Sequence, residues 1–83
     1  MTLRVLYFAW LRERIGIPSE EVETSAATIA ELVAELRARS TQHAAAFAEL
    51  EGIKAALNQK VQPFETSLDG ATEIAFFPPM TGG

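Results

Sequence analysis

Few side chains in this sequence could do covalent chemistry. There is no cysteine and a single histidine among 83 residues, so disulfides, thiolate metal sites and a cysteine nucleophile are excluded. His43 lies in Gln42-His43-Ala44-Ala45 with no second ligand beside it. A zinc site takes three or four ligands, so neither a metal-binding nor a catalytic role is expected of this residue. What remains is the end of the chain. Ile74-Ala75-Phe76-Phe77 is a β-forming run, Pro78-Pro79 stops it, and Met80-Thr81-Gly82-Gly83 follows without a charged side chain. Proline fixes its own φ and disfavours the helical region for the residue before it, so the tail leaves as a short semi-rigid arm. Residues 78–83, at about 3.3 Å each, span at most roughly 20 Å. That length can carry a terminal carboxylate into another protein's pocket. Glycine has no Cβ, so Gly82 and Gly83 can pass a channel too narrow for any other residue. On the residues alone, the diglycine end is either such a working terminus or a frayed one.

The elements that must position this arm belong to one small domain. With 48% hydrophobic residues the chain is near the size at which a single core suffices. No apolar run approaches the roughly 18 residues of a membrane span, and Met1-Thr2-Leu3-Arg4-Val5 lacks the basic start of a signal peptide, so a soluble cytoplasmic protein is expected. The net charge is −4, with only Lys54 and Lys60 and five scattered arginines. That is the wrong sign for a nucleic-acid backbone; a protein with a basic face is the expected partner.

Residues Thr2 to Trp10 are apolar on both alternating faces and predict a central strand. Leu11 to Gly16 predicts a helical turn with a left-handed glycine cap. Glu20 to Thr24, where only Val22 is apolar, predicts an edge strand protected by its glutamates and paired with the first. Thr28-Ile29-Ala30-Glu31 is a capping box that opens the clearest helix. Its Ile29, Leu32, Val33 and Leu36 share one face, and Arg37 and Arg39 fall in its last turn. Gln42 to Leu50 predicts a second short helix or a turn. Ile53, Ala55 and Leu57, then Asn58-Gln59, then Val61 and Pro63 predict a hairpin whose second arm is an edge. Leu68-Asp69-Gly70 predicts a turn, and Ala71 to Phe77 the last strand. The order β, β, α, β, β, β implies an α+β domain: a mixed sheet of about five strands gripping one main helix, with the first and last strands at its centre. On the last strand Ile74 and Phe76 share one face and Ala75 and Phe77 the other. If Ile74 and Phe76 are core, Phe77 is either a partner contact at the root of the arm or packed under a loop.

Several stretches together resemble the MoaD/ThiS sulfur-carrier family, on the branch that forms small subunits of molybdopterin synthase. They are Val5-Leu6-Tyr7-Phe8-Ala9 with Leu11-Arg12-Glu13 and Gly16; Ala56-Leu57-Asn58-Gln59; Leu68 with Asp69-Gly70; and Ala75 through Gly83. Trp10 stands where the family more often has a polar residue, and Met80 where a β-branched one is common. The resemblance implies a ubiquitin-like β-grasp domain over residues 1–77 and an extended diglycine tail over 78–83. It implies that Gly83 is adenylated by an ATP-dependent activating enzyme and converted to a thiocarboxylate. Pro78, Pro79, Met80, Thr81 and Gly82 then thread into the large synthase subunit, where sulfur passes to cyclic pyranopterin monophosphate to build molybdopterin. No cofactor is bound by the carrier itself, and two small and two large subunits are expected. By motif position, Phe8, Val61 and Phe77 are the apolar patch that docks both partners, with Arg12 a polar contact beside it. An α-carboxylate, with a pKa of about 3.5, is ionised at pH 7 and a poor electrophile, which is why AMP is needed as leaving group. A sulfur carrier for thiazole or tRNA thiolation, a protein modifier, or a ubiquitin-like binding module would share the same end.

Overall fold

Leu3, Val5 and Tyr7 alternate with Thr2, Arg4 and Leu6, and this period of two sets the first strand in the computed structural model, which describes residues 1–79. Strand β1 runs Thr2–Tyr7, with Leu3, Val5 and Tyr7 buried. It is shorter than the apolar run that predicts it, which reached Trp10. Ala9 to Trp10 already belong to helix α1, Ala9–Ile15, and the apolar residues beyond Tyr7 serve that helix, which buries Leu11 and Ile15. The expectation of two apolar faces is also corrected, because the open face of β1 carries Thr2 and Arg4 as well as Leu6. Gly16 caps α1 in the left-handed region at φ 97°, its N–H donating to the Arg12 carbonyl at 2.8 Å.

Strand β2, Ser19–Glu23, begins one residue earlier than expected and pairs antiparallel with β1, placing Val22 opposite Leu3. Helix α2, Ile29–Arg37, opens as its capping box requires. The Thr28 hydroxyl accepts from the Glu31 N–H, while the Glu31 carboxylate accepts from Ala27 N–H, one residue before the expected partner. The first two N–H groups of α2 donate to the Thr66 and Phe64 carbonyls, so the loop before the last strand supplies what the helix cannot. Arg39 lies beyond the helix rather than in its last turn. Ser40 then caps a second short helix, α3, Thr41–Ala46. A single 3₁₀ turn, Leu50–Gly52, leads into β3, Lys54–Leu57.

The hairpin to β4, Lys60–Gln62, turns on Asn58 and Gln59, both at positive φ as a tight two-residue turn demands. Asn58 also ties this turn to the last strand, since its Oδ1 accepts from the N–H groups of Thr72 and Glu73 at 2.9 and 3.1 Å. Strand β5 runs Glu73–Phe77, starting two residues later than expected because the Ala71 N–H donates to the Leu68 carbonyl in the preceding turn and the Thr72 N–H to Asn58. The sheet order is β2-β1-β5-β3-β4, with β1 and β5 parallel and the remaining pairs antiparallel. This mixed five-stranded sheet wrapped on α2 is the β-grasp arrangement. The core lies between the sheet and the helices, where Tyr7, Phe47 and Phe76 meet edge to face with ring centroids 6.3 and 5.0 Å apart.

Candidate docking site

Sheet register decides what faces outward at the root of the arm. Ile74 and Phe76 are fully buried, while Ala75 and Phe77 are half-buried on the opposite face. Across that face, Leu6 neighbours Ala75, Ala75 neighbours Ala56, and Ala56 neighbours Val61, a row of apolar side chains over four strands. At one end, Phe8 stands 47% exposed; at the other, Val61 is 61% exposed. Exposed side chains of this size on one face make it the candidate contact surface.

Phe8, Ala9, Ala75, Phe77 and Pro78 enclose a shallow depression of about 420 Å³. No side chain lining it carries a polar atom. Of the residues expected in the patch, Phe8 and Phe77 are thus brought together around one hollow. Val61 shares their face but lies two strands from β5, roughly 10 Å at ordinary strand spacing. Val61 also borders a second groove of about 550 Å³ with Leu50, Ile53, Pro63 and Phe64. Arg12 is exposed on α1 and is not among the residues lining the hollow. Lys54, opposite Phe77 on β3, also lies outside that lining and borders the second groove. Pro78 forms a wall of the hollow and Pro79 is exposed. Met80, Thr81, Gly82 and Gly83 lie outside the described residues.

A second polar cluster was not legible in the sequence. His43 is buried, and its Nε2 and the Tyr7 hydroxyl both reach the same oxygen of Glu20, at 2.8 and 2.7 Å; Arg39 reaches the other at 3.2 Å. The Ser40 hydroxyl lies 2.7 Å from His43 Nδ1 and accepts from the His43 backbone N–H as the cap of α3. One tautomer satisfies every group: Nε2–H donates to Glu20 while Ser40 donates to Nδ1. Burial and the hydrogen bond to Glu20 push the Tyr7 phenol well above its ordinary value. For Glu20, burial acts upward, but the hydrogen bonds from Tyr7 and His43 and the charge of Arg39 outweigh it and hold the carboxyl low. The Ser–His–Glu order resembles a catalytic relay, yet His43 is buried and neither the apolar hollow nor the second groove borders these side chains. The cluster therefore staples α3 to β1 and β2. Among the described residues, no group of three or more His, Asp or Glu is placed to hold a metal, and no helix is long and apolar enough to cross a membrane.

A β-grasp sheet with an apolar patch beside the end of its last strand defines the class of ubiquitin-like folds. The chain belongs to the ThiS family, which matches residues 5–83. It is similar to the molybdopterin synthase sulfur carrier subunit of Haemophilus influenzae, 42% identical over 81 residues that cover 98% of this chain and 99% of that one. The subunit of the same name from Escherichia coli is 37% identical over the same shares. Among solved structures, small archaeal modifier protein 1 from Haloferax volcanii matches over the whole of both chains with a TM-score of 0.76 at 22% identity. Its namesake from Methanosarcina acetivorans matches at 0.72 and 22%, over 99% of this chain and 96% of that one. At these identities the structural likeness is one of fold.

Proposed function

We propose that this chain is the sulfur carrier subunit of molybdopterin synthase. The Gly83 carboxylate attacks the α-phosphate of ATP in an activating enzyme, pyrophosphate leaves, and a sulfur donor displaces AMP to give the thiocarboxylate. The large synthase subunit then accepts the tail, Pro78 to Gly83, and its active site passes the sulfur to cyclic pyranopterin monophosphate. The observation that carries this reading is the 42% identity, over almost the whole of both chains, to a subunit so named. The patch of Phe8, Phe77 and Val61 supports it, because a carrier that contributes the reacting atom but no acid or base must be docked accurately by others. A carrier loaded with ATP by such an enzyme would work in the cytoplasm, which is part of the same proposal.

Reconstitution tests the reading. The thiocarboxylated chain mixed with the large subunit should convert cyclic pyranopterin monophosphate to molybdopterin, and the unmodified chain should not. If the loaded chain failed there but supported thiazole formation or tRNA thiolation, it would be a carrier for another pathway.

A further inference from the structure

Among the described residues, five take positive φ, and four have a ready reason. Gly16 and Gly70 have no Cβ, and Asn58 and Gln59 are the central pair of a tight hairpin turn. Ala9, at φ 54°, is neither. The hydrogen bonds of Phe8 and Leu11 impose the conformation. Phe8 is still extended, at φ −119° and ψ 156°, and its N–H donates to the Phe76 carbonyl at 3.1 Å, which continues the ladder between β1 and β5. Three residues on, Leu11 is fully buried and its N–H donates to the Phe8 carbonyl at 3.2 Å. The chain passes from the open face of the sheet to the covered face within that interval, and Ala9 absorbs the turn. Strained backbone of this kind persists where surroundings over-determine it, and it gathers at ligand clamps and binding sites.

The choice of alanine is the informative part. Glycine would take this φ without strain and asparagine readily, so the backbone alone does not ask for alanine. Ala9 is exposed, so packing within the domain does not limit its size either. It lies instead in the apolar hollow, between Phe8 and Phe77 and beside Ala75. We propose that Ala9 sets what this hollow admits: it is a specificity-determining residue for docking of the large synthase subunit. The occupant is an apolar side chain of that subunit, seated between Phe8 and Phe77 over the small residues Ala9 and Ala75. This rests on the function proposed above, and the hollow is continuous with the patch assigned there.

The test is a series in the full chain, with Phe77→Ala as reference, reading the unfolding midpoint and the Kd for the large subunit. Ala9→Asn keeps the left-handed backbone but brings an amide into an apolar site; it should unfold with the wild-type midpoint and bind about tenfold more weakly or worse. Ala9→Leu should weaken docking by filling the hollow, and Ala9→Gly should stay within about threefold of wild type. Wild-type binding by Ala9→Asn and Ala9→Leu, with Phe77→Ala impaired, would overturn the role of Ala9 and leave the patch standing. Wild-type binding by all of them, Phe77→Ala included, would overturn the hollow as the docking site. A chain carrying Ala9→Asn that fails to fold would contradict the backbone argument.

Discussion

Phe76 and Phe77 are adjacent in sequence and point to opposite sides of the sheet. Phe76 is fully buried against Phe47, and Phe77 is half-buried at the rim of the hollow. Removing a buried phenylalanine costs about 3–5 kcal/mol, from lost transfer energy and the cavity left behind. Phe76→Ala should therefore destabilise the domain by that order, while Phe77→Ala should change stability much less and weaken binding to the large subunit. Denaturant unfolding of the two variants beside a binding titration checks this; equal destabilisation with unchanged binding for Phe77→Ala would show that the faces are misassigned. This face assignment was legible because a strand's side chains alternate strictly, so the residues Ile74 to Phe77 fix their own orientation. Ala9 was not legible. Its importance lies in a backbone angle imposed by Phe76 and Leu11, and a small residue gives no signal of its own in sequence.

Helix α3 depends on a contact far away in the chain. It is six residues long, too short to be stable alone, and it is held by His43 reaching Glu20 on β2. A separation of 23 residues hides that pair from any reading of local spacing. For the same reason α3 was expected only as a helix or turn, whereas α2 announced itself by its cap and its apolar stripe. The cluster has a consequence for acid stability. Glu20 is held below its ordinary value of 4.5, so near and below that pH the unfolded chain binds more protons than the folded one. Its stabilising contribution is thus full above the ordinary value and is lost as pH falls through the folded value. Glu20→Gln should cost about 1–2 kcal/mol near neutral pH, since the side chain keeps some contact with solvent. It should also flatten the acid limb of a plot of unfolding free energy against pH. Parallel acid limbs for wild type and variant would remove Glu20 from this account.

For the whole molecule, sequence pattern went far toward the architecture. Strand and helix periods, the Gly16 cap and the Asn58-Gln59 turn implied a mixed sheet on one main helix with the first and last strands together. The parallel pairing of β1 with β5 makes that concrete, because it places Phe8 beside Phe77 although 69 positions separate them. What pattern could not supply was the extent of α1 and α3, whose apolar residues read equally well as continued strand or as turn. The central strand ends beside the apolar patch proposed above as the docking surface, so folding and chemistry should separate at the chain's end. Gly82 and Gly83 have no side chains to bury, and deleting both should alter unfolding free energy by no more than about 0.5 kcal/mol. The most direct test is mass spectrometry of the full chain and of this truncation after incubation with ATP, an activating enzyme and a sulfur donor. The account predicts that the full chain exchanges one carboxyl oxygen of Gly83 for sulfur while the truncated chain, still folded, gains none. An unmodified full-length terminus under conditions that load a control carrier, or equal loading of the truncated chain, would contradict it.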